Sequence, residues 1–142
     1  MEKLTAETSM LMNERFGKDN VIALATVDEQ SPAVRYVNAF YQNRAFYVIT
    51  YGLSHKMRQI EKNPAVSIAG DWFTAKGKGI DLGWFCAPEN GDLAKTLRTA
   101  FSEWIDNGHN DFDDENTRIL KLELTEGVLF SHGIRYDIDF TS

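Results

Sequence analysis

Apolar and polar positions alternate along most of this chain, and a helical spacing interrupts that alternation in three places. Leu4, Thr8, Leu11 and Met12 fall on one side of a helix predicted from Leu4 to Phe16, with Gly17 as its stop signal. Val21 to Val27 is an apolar, β-rich run; the polar turn Asp28 to Pro32 follows, and a second run spans Ala33 to Tyr41. Two strands so closely joined predict an antiparallel hairpin. In the second of them Val34, Tyr36, Asn38 and Phe40 share one face, while Arg35, Val37 and Ala39 share the other.

Gln42 to Arg44 makes a short turn into a third strand, Phe46 to Tyr51, which Gly52 breaks. Ser54 is a suitable N-cap for a short helix that Asn63-Pro64 closes, because the residue before a proline is pushed out of the helical region. Ala65 to Ala69 and Gly77 to Cys86 read as a fourth and a fifth strand. The scattered Gly77, Gly79 and Gly83 make no dinucleotide fingerprint; they mark bends or close backbone approach. A third helix is predicted from Asp92 to Asn107, with Leu93, Leu97, Ala100, Phe101, Trp104 and Ile105 as its packing stripe. Thr117 to Leu124 and Gly127 to Phe130 complete the sheet, and Tyr136 to Phe140 is expected at its edge. This order predicts a mainly β fold, an antiparallel barrel with peripheral helices. Residues 1–142 are expected to form a single domain.

Composition narrows the function classes. A formal net charge of −6 argues against nucleic acid as the main partner, since phosphate backbones select clustered lysine and arginine. One cysteine, Cys86, excludes an intrachain disulfide and a multi-cysteine zinc site. Beside Phe85 it is expected to be a buried small hydrophobe. His55, His109 and His132 are far apart in sequence, and the acidic run Asp111 to Glu115 lacks the glycine and distal glutamate of a calcium loop, so no metal site is expected. No apolar stretch approaches membrane-spanning length, and a soluble cytoplasmic protein is the expectation.

The chemistry concentrates at the start of the second helix. Its first backbone N–H groups are unpaired and sit at the positive end of the helix dipole, which favours an anion. Ser54 adds a hydroxyl there and Lys56 a mobile positive charge, suited to a phosphate. S-x-K is also found at ordinary capped helices with a solvated lysine. Arg35 has two readings as well: an arginine snorkelling at a sheet margin, or one aimed at a bound anion.

Assembled, these pieces resemble the FMN-binding split barrel, a Greek-key antiparallel barrel, of the pyridoxamine 5′-phosphate oxidase-like family. Three signatures carry the resemblance: Arg35 in P-A-V-R-Y-V-N; Thr50 ahead of Ser54, His55 and Lys56; and Gln59-Ile60 followed by Asn63-Pro64-Ala65-Val66-Ser67. The resemblance implies that Arg35, Ser54 and Lys56 hold the FMN phosphate, with Thr50 and His55 close by. Tyr36, Val37 and Asn38 would lie along the isoalloxazine. It further implies a homodimer with flavin at the interface, to which the fifth strand contributes through Lys78 or Trp84; packing in an interface core would explain Trp84 equally well.

Two departures matter. His55 stands where arginine is frequent in the family, and the final GIRYDIDFTS lacks the tryptophan and arginine motif with which true pyridoxamine phosphate oxidases hold their substrate. The likeness is therefore to the general stress protein and flavin reductase branch. It implies a small flavin-dependent oxidoreductase acting on an unassigned small molecule. The alternatives are a non-catalytic flavin-binding stress protein, or a barrel that takes another ligand such as haem. Hydride transfer on a flavin requires no side-chain nucleophile or acid–base dyad, and the sequence offers none.

Overall fold

The hairpin pattern that begins at Val21 is realised as a closed antiparallel barrel in the computed structural model, which describes residues 1–142. In chain order the elements are β1 (Glu2–Lys3), α1 (Ala6–Phe16), β2 (Asn20–Asp28), β3 (Ser31–Gln42), β4 (Ala45–Tyr51), α2 (His55–Lys62), β5 (Ala65–Gly70) and β6 (Phe73–Trp84). A 3₁₀ turn at Pro88–Asn90, α3 (Gly91–Ala100), β7 (Thr117–Ser131) and β8 (Ile134–Asp139) follow. The strands run in the order β1-β8-β7-β4-β3-β2-β5-β6, and β6 pairs back onto β7 to close a six-stranded barrel. The short β1 and the edge strand β8 extend the sheet outside it.

Strand alternation sorts two cores. Inward residues of the barrel, among them Ile22, Leu24, Phe46, Val48, Leu120 and Leu122, form one continuous buried cluster. Helix α1 plugs one end with Met12 and Phe16; the Phe16 ring meets Phe46 at 5.5 Å and Phe73 at 5.2 Å between centroids. Helix α2 closes the other end with Met57 and Ile60. Outward residues of β4 and β7 pack beneath α3, where Phe85, Leu97, Phe101, Ile105 and Ile119 are buried. No helix is long and apolar enough to cross a membrane.

Several boundaries differ from the sequence pattern. The third helix ends at Ala100 rather than Asn107. Phe101 and Ile105 are still buried, which is why the stripe looks continuous, but the chain beyond Ala100 winds through turns that bring the Trp104 Nε1–H onto Asp19 Oδ2 at 2.9 Å. The two segments read at Thr117–Leu124 and Gly127–Phe130 are one 15-residue strand. Thr125 is an extra residue opposite the Lys76–Gly77 step, a β-bulge that mimics a break in the alternation. β6 begins at Phe73, before the expected Gly77, because Trp72 at φ 50° turns the chain directly out of β5. Cys86 is exposed, not buried: it lies just past the end of β6, and its neighbour Phe85 takes the place under α3.

Candidate functional site

The barrel is split on one side. β3 and β4 pair only at Phe40–Gln42 with Ala45–Tyr47. Beyond that short zipper the strands diverge, so β3 from Ser31 to Ala39 keeps its partner β2 on one side and has none on the other. The backbone N–H and C=O groups that β3 directs away from β2 along that edge are thus free to bond a ligand. The cleft widens toward Arg35 on β3 and Thr50 on β4, and α2 begins at its base.

Polar side chains collect at this mouth because the inward alternation of each strand ends in a polar residue there. Thr26 continues the row of Ile22 and Leu24, Arg35 that of Val37 and Ala39, and Thr50 that of Phe46 and Val48. Arg35 Nη1 donates to the Leu24 carbonyl at 3.1 Å and to Thr26 Oγ1 at 2.7 Å, and its Nη2 donates to Gln59 Oε1 at 3.0 Å. Thr26 Oγ1 in turn donates to the same Gln59 oxygen at 2.5 Å. Lys56 stands close enough to feel this guanidinium. Burial first, and then the Arg35 charge, holds its ammonium below the usual lysine range. Burial likewise lowers Arg35, which stays protonated as arginines do. Every ion pair of the molecule lies elsewhere, so no carboxylate neutralises either cation.

Ser54 occupies the N-cap of α2 as its type suggests, but its side chain makes no capping bond. Its Oγ is buried and has no hydrogen-bond partner. A buried hydroxyl without a partner is costly, and one at the N-terminus of the helix that carries Lys56 and Gln59 fits an anion's oxygen. Thr50 is buried at the end of β4, and His55 is exposed at the first position of α2.

Arg35, Thr50, Ser54, His55 and Lys56 are thus brought to one end of the barrel. Tyr36 and Asn38 point outward along the open β3 edge, with Tyr36 81% exposed, while Val37 points inward and packs on the barrel core. Asn38 Nδ2 donates to Asp19 Oδ1 at 3.1 Å. Lys78 and Trp84 both lie on β6, where Trp84 pairs with Arg118, the β7 partner of Thr50. Lys78 is exposed on β6 between its partners Ala65 and Glu123, and the Trp84 indole N–H donates to the Phe112 carbonyl at 2.9 Å. Thr26 was not legible as a site residue, since a threonine in an apolar strand reads as a β-former. Arg118 was missed too. It faces Thr50 across β4 and β7, pairs with Asp81 at 2.8 Å, and its Nε is buried without a partner against Gly52.

Comparison with known proteins agrees with this architecture. A family model described as pyridoxamine 5′-phosphate oxidase matches residues 11–127. Among solved structures, a NimC/NimA family protein from Clostridium acetobutylicum superposes with a TM-score of 0.67 at 18% identity, covering 90% of this chain and 91% of that one. HutZ, the haem storage protein from Vibrio cholerae, gives 0.62 at 20% identity, over 87% and 91%. A pyridoxamine 5′-phosphate oxidase-related, FMN-binding protein from Nostoc punctiforme gives 0.58 at 16% identity, over 90% and 83%. At these identities the likeness is one of fold. Comparison with curated proteins finds no match.

Proposed function

The chain belongs to the pyridoxamine 5′-phosphate oxidase family, and from that premise we propose that it binds FMN in the split between β3 and β4 and works as a small flavin-dependent oxidoreductase. One observation carries the reading. Two desolvated cations that feel each other, Arg35 on the open edge of β3 and Lys56 on α2, stand without a carboxylate, and the N-cap of the same α2 carries the unpartnered Ser54 hydroxyl. Such a cluster suits a phosphate dianion. Thr50 and His55 flank it, and the free edge at Tyr36, Val37 and Asn38 offers donors and acceptors to the pyrimidine side of a flavin ring. The family model and the FMN-binding relative from Nostoc punctiforme support that choice of ligand.

The flavin would supply the hydride and electron chemistry, while the protein fixes its phosphate and ring and leaves the small-molecule substrate to approach the exposed side. A second copy of the chain is part of the proposal. Val34 and Tyr36 are 70% and 81% exposed on the outer face of β3. Val34 also borders a concavity of about 590 Å³ floored by small residues such as Ala23, Ala25, Ser67 and Ala69. Apolar surface of this kind is usually covered in an assembly. Lys78 or Trp84 would then act from the partner side.

Haem is the competing ligand, favoured by the likeness to HutZ. Purification without added cofactor, a visible spectrum and titration with FMN and with haemin separate the two. Flavin bands, or saturable FMN uptake, followed by reduction with a nicotinamide donor and reoxidation by an acceptor, are expected. Inert bound flavin would leave a binding protein, and a haem spectrum with no FMN uptake would overturn the assignment.

A further inference from the structure

Arg35 is held in place without being neutralised. Its three acceptors inside the barrel are the Leu24 carbonyl, the Thr26 hydroxyl and the Gln59 amide oxygen, all uncharged. The direction of the network is fixed by its chemistry. A guanidinium only donates, so Thr26 Oγ1 accepts from Nη1 and spends its single proton on Gln59 Oε1. That oxygen therefore accepts twice, from Thr26 and from Arg35 Nη2, and it is this amide's carbonyl end that must face the arginine.

The donor inventory says what is left over. A guanidinium has five N–H groups. Two on Nη1 and one on Nη2 are used, on the end where Thr26 and Gln59 stand 2.5 Å apart. The two that remain, on Nε and Nη2, are the parallel pair of the side-on fork, whose spacing matches two oxygens of one phosphate. We infer that Gln59 and Thr26 are positioning residues which lock the Arg35 guanidinium so that its side-on fork, at full charge, is presented to the ligand's phosphate. This rests on the FMN reading above and deepens it. A carboxylate at position 59 would hold the guanidinium as firmly yet cancel its charge, so the neutral amide is the functional choice.

The test compares affinity for FMN with affinity for riboflavin, the same ring without a phosphate. Their ratio moves only when phosphate recognition moves, whereas a general loss of structure weakens both. For Gln59→Glu and Thr26→Val we expect a fall in that ratio of about tenfold or more, the range for a lost charge-assisted contact, with riboflavin affinity unchanged. Thr26→Ser, which keeps the hydroxyl, is expected to restore the ratio. Should Gln59→Glu and Thr26→Val bind FMN and riboflavin in the wild-type ratio, or lose both equally, the positioning role is overturned while the FMN site stands. A wild-type protein that does not distinguish FMN from riboflavin overturns the phosphate site and this inference with it.

Discussion

Lys56 sets how the site responds to pH. Its ammonium is held below the ordinary lysine value of 10.5 by burial and by Arg35, so the folded protein releases this proton before the unfolded chain does. Between the lowered value and 10.5 the unfolded chain binds more protons, and the ligand-free protein gains stability from this group as pH rises through that window. Phosphate binding favours the charged lysine and has the opposite sign. FMN affinity measured by fluorescence titration should fall as pH rises toward the lowered value, and Lys56→Arg should abolish that fall. Ser54→Ala is the complementary case. Its buried hydroxyl bonds to nothing in the protein, so removing it should leave the unliganded protein at least as stable in a thermal melt, while FMN binding weakens by about 0.5–1.5 kcal/mol. Arg35, Ser54 and Lys56 could be picked out as candidates in the sequence because charge and capping type stand out from their surroundings. Thr26 and the role of Gln59 could not, since each takes its meaning from partners 9 and 24 residues from Arg35 that meet only in the folded barrel.

Glycine placement shows how closely the elements approach one another. A side chain at Gly77 would collide with the Glu123 carbonyl across the β6–β7 pair, beside the bulge at Thr125. Gly79 lies against Ile60, so that α2 can sit down on the barrel end; a Cβ there would come within 2.7 Å of that side chain. Gly77→Ala meets rigid backbone and should cost about 1–3 kcal/mol or more, read as a fall in melting temperature. Gly79→Ala meets a side chain that can shift, and its smaller loss should be accompanied by weaker FMN binding as α2 lifts. The sequence pattern placed these glycines at close approaches, which alternation and composition are enough to suggest. It could not place the end of α3, because the stripe through Phe101 and Ile105 keeps helical spacing while the backbone follows the Trp104–Asp19 bond instead. Nor could it join the two halves of β7, because a bulge residue breaks the period of two without breaking the strand.

At the scale of the whole molecule, the barrel was readable from its run of short antiparallel strands, whereas the split was expected only through the family resemblance. Which residues of β3 pair with β4 is a matter of register, and only the three-residue zipper at Phe40–Gln42 makes the cleft visible. The same open face carries the proposed dimer. Tyr36→Asp places a charge on the most exposed part of that face and should give a monomer by light scattering, with FMN affinity reduced although the phosphate cluster is intact. A wild-type monomer that binds FMN at full strength would remove the second copy from the site.

The most direct test is calorimetric titration of FMN into the wild-type protein and into the double variant Arg35→Ala, Lys56→Ala, with riboflavin as the control. Each cation should contribute about 1.5–3 kcal/mol to phosphate binding, so FMN binding by the double variant should weaken at least a hundredfold while riboflavin binding is unaffected. Wild-type FMN affinity in the double variant would contradict the site, and with it the function assigned to the split.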